Sequence, residues 1–380
     1  MPMSIEKSVQ GFLVAAGMIM ASVTCVAQQL QQPKITHAQL SVKSDVSLQQ
    51  EIQTAQASTW IGYSIPVTHR MNSGWDSDVV HLEGNKDDGE QILSAPPDAA
   101  IPPAVVLVRV TAGKVERVQI EQMDRQIEAG GLPFVWLTNI SPVNSVQTLK
   151  KIVEANIVAA GSTETPAEGD SRSATRESER SHRRMQDTGI VAIALTDTPE
   201  ATSALRSLTA TTYPEQVRER AAFWLANERG SEGFKAVSEL LRNDHDDAFR
   251  EKLVFDLTLV KGDSKSAAIG ELIATAKSDT SPKVRSQAQF WLAQAAGKKA
   301  EGDPRIVQTL RQQASDDPNA AIRKSAVFAL SRLPEEQGVP ELIQVASTSK
   351  DAATRREAIF WLGQSKDPRA LAYLEKVVRE

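Results

Sequence analysis

The nine residues VRSQAQFWL at positions 284–292 return in altered form four more times in this 380-residue chain. The counterparts are VRERAAFWL at 217–225, FREKLVFDL at 249–257, IRKSAVFAL at 322–330 and TRREAIFWL at 354–362. Each copy places a Phe five residues after an Arg, and a Leu two residues after that Phe. The arginines are Arg218, Arg250, Arg285, Arg323 and Arg355, and the rings are Phe223, Phe255, Phe290, Phe328 and Phe360. The leucines are Leu225, Leu257, Leu292, Leu330 and Leu362. Successive arginines stand 32, 35, 38 and 32 residues apart. Periods of this length mark stacked supersecondary units, none of which can bury its apolar face alone.

A second apolar stripe precedes four of the segments: Phe234, Val237 and Leu241; Ile269, Leu272 and Ala276; Val307, Leu310 and Ala314; Val339, Leu342 and Ala346. Steps of three and four put each set on one helix face. The unit therefore reads helix, turn, helix. Asp244, Asp279 and Asp317, with Thr212 and Ser349 in the same register, stand six residues before the arginines. Side-chain oxygens there are expected to cap the second helix. Pro282 and Pro318 fall in those turns or first helical turns, where a missing N–H costs nothing.

This pattern resembles HEAT repeats, and in particular the HEAT-like repeats first recognised in phycobilin lyases, whose second helix reads roughly Val-Arg-x-x-Ala-x-x-x-Leu. The resemblance covers about residues 199 to 380. It implies a curved right-handed α-solenoid, with the lone helix from Pro368 to Val378 closing one end. It also implies an Asp–Arg ladder joining neighbouring repeats through Asp244, Arg250, Asp279, Arg285, Asp317 and Arg323, with Arg218 and Arg355 in the same register. Asp256 stands where Trp224, Trp291 and Trp361 stand in other copies, which puts packing of the second repeat in question.

At about 100° per residue, the Val, Ala, Trp and Leu positions of the motif cluster on one side of the helix. The Phe position falls roughly opposite, among polar residues such as Glu219, Arg220, Gln287, Lys324 and Gln364. Two arrangements follow. Either each Phe packs on the adjacent repeat, or the five form an exposed stripe along the concave wall, suited to an extended peptide or apolar chain. The three Trp are expected on the core side.

The N-terminal half has a different texture. Trp60, Ile61, Tyr63, Ile65 and Val67 suit a strand that ends near Pro66. Ala104 to Val110 and Val115 to Glu121 flank Thr111-Ala112-Gly113-Lys114, the spacing of a β-hairpin. Leu132 to Leu137 predicts another strand. Ser141-Pro142 then opens an amphipathic helix carrying Val146, Leu149 and Val153. These elements predict a small β-rich (α+β) domain over residues 56–158, preceded by a flexible leader over 28–55. A disordered linker over 159–186, whose acids and bases nearly balance, leads to the solenoid at 187–380. Met71 to Pro103 is an unusually long loop, either functional or disordered.

The first 27 residues read as an export signal. Gly11 to Ala21 is apolar, and Cys25-Val26-Ala27 places small residues before a Gln-rich segment, which predicts cleavage after Ala27. An uncleaved anchor and a lipid-bearing Cys25 are the alternatives. Cleavage removes one acid, one base and the only Cys, leaving a chain without a thiol. The expected location is the periplasm or the exterior of a bacterial cell, with no stable membrane insertion once the signal is gone.

Composition narrows the function classes. Hydrophobic residues are 41% and charged residues 24%, an ordinary globular balance. Forty-three Lys and Arg against 48 Asp and Glu give a net charge of -5, which supplies no basic field for nucleic acid. One Cys excludes a disulfide framework and any multi-cysteine zinc site. His69, Asp76, Asp78 and His81 are metal-ligand types close in sequence, but their spacing matches no metal motif. Asp124, Glu128, Glu116 and Glu121 could be paired as acids on paper, yet strand-edge solvation accounts for them. There is no Gly-x-Ser-x-Gly elbow, no P-loop and no His-Glu pair of the kind used by HEAT-like hydroxylases. No cofactor is expected. The expectation is an exported, non-catalytic scaffold whose solenoid binds a protein or peptide. A bilin-lyase-like or other ligand-handling enzyme and an envelope signalling adaptor are the alternatives.

Overall fold

The computed structural model describes residues 32–67, 79–83, 101–161, 172–297 and 303–379. The expected export signal with Cys25, and His69, Asp76 and Asp78, lie outside these residues.

The chain begins with β1 (Ile35–Thr36), β2 (Gln39–Ser44), helix α1 (Leu48–Thr54), β3 (Thr59–Ile65) and β4 (Val79–His81). It continues through β5 (Ala104–Thr111), β6 (Lys114–Gln122), β7 (Gln126–Glu128) and β8 (Pro133–Thr138). Five strands pair in the order β2-β8-β3-β5-β6, and β1, β7 and β4 form a small parallel sheet. In the larger sheet β2, β8 and β3 run parallel, while β3, β5 and β6 run antiparallel. The expected hairpin turns at Ala112 and Gly113, both at positive φ, the geometry of a tight two-residue connection.

Alternation along the strands divides the core. Ile61, Tyr63, Val106, Val108, Val135 and Leu137 face the helices. Trp60, Val105, Leu107, Phe134 and Trp136 face the small sheet. Gly62 lies between the Phe134 and Trp136 rings, and a methyl there would meet Phe134 at 2.8 Å.

The leader expected over 28–55 is corrected from residue 35 onward. β2 is an edge strand whose six side chains are all exposed. Its place is fixed by backbone pairing with β8, which apolar patterning cannot reveal. α1 follows, capped by the Ser47 hydroxyl, with Leu48 and Ile52 buried one turn apart.

Two long helices come next, α2 (Pro142–Gly161) and α3 (Arg172–Leu195). The Ser141 hydroxyl accepts the Asn144 N–H at 3.2 Å, and Val146, Leu149 and Val153 are buried. The linker expected over 159–186 is corrected for 172–186, which form the first half of α3. Glu177, Glu179, Arg180, Arg183 and Arg184 are exposed along it, and the run from Ile190 to Leu195 is fully buried. α3 packs against α2, β6 and the solenoid, so the module and the repeats share one continuous apolar core.

The solenoid comprises α4 (Pro199–Leu208), α5 (Glu215–Glu228), α6 (Gly230–Asn243), α7 (Asp247–Asp256), α8 (Lys265–Ser278) and α9 (Pro282–Ala295). It is completed by α10 (Pro304–Asp316), α11 (Ala320–Ser331), α12 (Glu335–Thr348), α13 (Ala352–Leu362) and α14 (Pro368–Arg379). Even-numbered helices from α2 to α14 stack in one layer and odd-numbered helices from α3 to α13 in the other. The odd layer packs more closely, and we term it the inner layer. Gly233 of α6 and Gly338 of α12 sit against the carbonyls of Leu225 and Leu330, where a methyl would overlap the oxygen. Only glycine lets the outer helix start so close to the end of its inner partner.

The capping expectation shifts by two residues. Asp244, Asp279 and Asp317 end the outer helices. Their carboxylates accept the N–H of Asp246 at 3.0 Å, Ser281 at 2.8 Å and Asn319 at 2.9 Å. These are Asx turns that shape the corner. The side chains that cap inner helices are Asp246, Asn319 and Asp351. Thr212 lies in the turn before α5, which has no side-chain cap, and Ser349 ends α12.

Candidate binding surface on the inner layer

The first three junctions between motif repeats are each fastened by a buried ion pair. Arg218 pairs with Asp244, Arg250 with Asp279 at 3.0 Å and Arg285 with Asp317. The fourth rung differs because Ser349 replaces the acid: Arg323 reaches Asp351 at 3.4 Å and the Thr354 hydroxyl at 3.2 Å. Each Arg also donates backward to its own repeat. Arg250 bonds the Asp244 carbonyl at 2.8 Å, Arg323 that of Asp317 at 2.8 Å and Arg355 that of Ser349 at 2.7 Å. Arg218 additionally stacks on the buried Phe249 ring, 4.0 Å from its centroid. These contacts satisfy orphan carbonyls at the outer-helix ends and fix the rotation of one repeat on the next.

The ladder holds a row of rings on the inner helices. Phe223, Phe255, Phe290 and Phe328 are half-buried, and Phe360 is 54% exposed. This lies between the two arrangements expected, because each Phe packs against a neighbouring Trp or Phe and keeps part of its surface open. Phe255 meets Trp291 at 4.8 Å between centroids, Trp291 meets Phe290 at 5.1 Å, and Phe290 stacks on Phe328 at 6.5 Å. Phe328 meets Trp361 at 5.2 Å, and Trp361 meets Phe360 at 5.1 Å. Six rings thus form one unbroken row across α7, α9, α11 and α13.

The expectation that all three Trp lie on the core side holds for Trp224, which is buried, while Trp291 and Trp361 pack against the core and are also half-buried members of the row. The reason is in the repeats that lack a Trp. At the Trp position α7 has Asp256 and α11 has Ala329. The Phe of each leans instead on the Trp of the following helix. The sequence signal was the alternation of Trp with a smaller residue at one motif position.

Asp256 holds the motif position between Trp224 and Trp291. It is 3% exposed, and one carboxylate oxygen has no hydrogen-bond partner among the described residues. Burial, with Glu219 nearby, pushes its carboxyl up to about 8, against a smaller opposing pull from Lys252. The Trp224 indole N–H, at the same register on α5, is also buried without a partner among the described residues.

A cavity opens where α11, α12 and α13 meet, bounded by Leu330, Arg332, Leu333, Leu342, Trp361 and Gln364. The ring row ends on its wall, because Trp361 belongs to both. Trp361 is held by its indole N–H, which donates to Glu357 at 3.0 Å.

The acids of the β-rich module are engaged by bases. Glu116 pairs with Arg109, and Glu121 with Arg125 at 3.1 Å. His37 and His81 both turn Nδ1 toward Glu128, at 2.7 and 3.3 Å. The His37 bond leads in holding that carboxyl below the usual range. Among the described residues no group of three side chains is arranged to hold a metal ion, and no helix is long and apolar enough to cross a membrane.

Residues 307–380 match the family model of HEAT repeats. None of the curated proteins matches the sequence. Among solved structures, the chain is similar to the CpcE–CpcF complex of phycocyanin lyase from Nostoc sp. PCC7120, at 21% identity over 43% of this chain and 98% of that one, with a TM-score of 0.31. It is similar to human deoxyhypusine hydroxylase, at 16% identity over 62% of this chain and 92% of that one, with a TM-score of 0.26. It is also similar to YibA of Escherichia coli, at 18% identity over 55% and 74%, with a TM-score of 0.32. The fold is an α-solenoid of HEAT-like helical pairs carried on a small α+β module.

Proposed function

We propose that this protein is a non-catalytic scaffold that acts outside the cytoplasm and binds an extended protein segment along the inner layer of its solenoid. The observation that carries the reading is the row from Phe255 to Phe360, whose rings brace one another and stay partly exposed. Rings fixed in this way lose little entropy on binding, and partly exposed aromatic anchors among polar groups dominate the energy of many interfaces. The buried ladder supports the same reading, because it keeps the spacing between rings constant. A rigid ruler of this kind suits an extended strand better than a folded knob.

The test is selection of binders from a random dodecapeptide display library against the full protein, followed by measurement on a Phe290→Ala, Phe360→Ala variant. Binders should lose tenfold or more in affinity on the variant. Binders that hold the variant equally well would remove the inner face from the function. Export is checked separately by sequencing the N-terminus of the protein from a cell envelope fraction, which should begin at Gln28.

A further inference from the structure

The inner face changes charge along its length, and its C-terminal end carries positive charge without an acid to match it. One turn before the motif Phe the residues are Glu219, Glu251, Ser286, Lys324 and Arg356 in successive repeats. One turn after Phe328 stands Arg332, the residue at the C-terminal cap of α11. Side chains four apart share a helix face, so Arg332 flanks Phe328 and Arg356 flanks Phe360. Both arginines are exposed, and neither pairs with an acid among the described residues. The nearby acids are turned elsewhere. Glu357 takes the Trp361 N–H at 3.0 Å and Lys324 at 3.6 Å, while Glu335 accepts from the Ser365 hydroxyl at 3.1 Å and the Lys366 N–H at 3.3 Å.

Arg332 also stands on the rim of the cavity whose wall is Trp361 and whose floor is Leu330, Leu333 and Leu342. The cavity is lined by both kinds of group, with Ser331, Glu335, Gln364 and Ser365 beside the leucines, and a guanidinium fork next to a ring fits a carboxylate whose neighbour is apolar. We propose that the α11–α13 end of the inner face takes an acidic peptide segment, with one carboxylate on Arg332, another on Arg356, and an adjoining aromatic or aliphatic side chain against Phe328, Trp361 and Phe360. The inference rests on the inner-face reading above and adds the chemistry and direction of the partner: its acidic end lies at α13 and away from Glu219 and Glu251. Stacked rings beside arginines also suit single-stranded nucleic acid. The net charge of -5, and Glu219 and Glu251 further along the same face, leave no basic track for a long polyanion and favour a short acidic peptide.

Fluorescence anisotropy with the full protein and three dye-labelled probes decides the matter. The probes are a hexapeptide alternating Asp and Phe, its counterpart with Lys for Asp, and an oligouridylate. The acidic peptide should bind at least tenfold tighter than either other probe and weaken as salt is raised. Arg332→Gln with Arg356→Gln should cost it tenfold or more, while Lys235→Gln on the outer helix α6 should change nothing. Equal or tighter binding of the Lys peptide or the oligouridylate overturns the inference, as does indifference of the acidic peptide to the two arginines. Peptide binding that falls with Phe328→Ala and Phe360→Ala yet ignores both arginines would sink the acidic partner and leave the inner-face reading standing.

Discussion

Replacing Asp256 by Asn probes a carboxyl that the fold holds in the wrong solvent. Its folded pKa of about 8 compares with an ordinary value of 3.8. Between these two pH values the unfolded chain has released the proton that the folded chain retains. The folded state then binds more protons, so stability declines as pH rises across that window and is level on either side of it. Each unit of difference corresponds to about 1.4 kcal/mol. Near pH 7 the free chain must take up a proton against roughly three units of pH, an opposing contribution of about 4 kcal/mol. Asn has the same shape and no titration, although its buried NH2 lacks a partner and costs about 1–3 kcal/mol. Asp256→Asn should therefore be near neutral or mildly destabilising at pH 5 and stabilising by about 1–3 kcal/mol at pH 7, with a further gain toward pH 8.5. Urea unfolding followed by circular dichroism at the three pH values measures the difference. Other titrating groups are common to both proteins, so the change in that difference with pH belongs to residue 256. A gap that stays constant from pH 5 to 8.5 would refute the argument.

Other perturbations test the stack itself. Arg250→Ala leaves Asp279 buried without its partner and should destabilise by about 3–5 kcal/mol, read from the urea midpoint. Asp279→Asn should cost less, because the amide still accepts from the guanidinium. Gly338→Ala forces a methyl into the Leu330 carbonyl and should lower the melting temperature by several degrees, whereas Gly262→Ala, with open space around its Cβ position, should cost only the strain of its positive φ, about 1 kcal/mol. Tyr63→Phe removes the buried bond to the Ser145 hydroxyl, 3.0 Å long, and should cost about 1–2 kcal/mol in the same assay.

Much of this architecture was written in the local pattern. The five Arg and Phe positions set the inner helices, and their spacing set the number of pairs. The hairpin turn at Ala112-Gly113 and the Ser141-Pro142 helix start were equally plain, since each depends on residues adjacent in the chain. What escaped was decided by partners far away in sequence. β2 exposes every side chain and exists because β8 pairs with it. The charged start of α3 reads as linker composition until its buried end, Ile190 to Leu195, is placed against α2 and β6. The side chains that cap the inner helices lie two positions beyond the repeating Asp, because that Asp serves the corner and the ladder. At the candidate site, the five Phe were visible while the sharing of Trp291 and Trp361 between neighbouring helices was not. Motif alignment compares equivalent positions, and these contacts join non-equivalent ones.

The shared helix pair α2–α3 gives the array a foundation. A free-standing stack of helical pairs needs a polar-faced terminal repeat at each end. Here the sheet does that work at one end, roofed by α2 and abutted by α3. Severing the chain between α3 and α4 would strip both pieces of their mating walls and leave two fragments with bare apolar faces where there was one continuous core. Insertion or loss of a whole repeat further along, by contrast, would leave the footing untouched, so the length of the reading surface can drift while its anchored origin stays put.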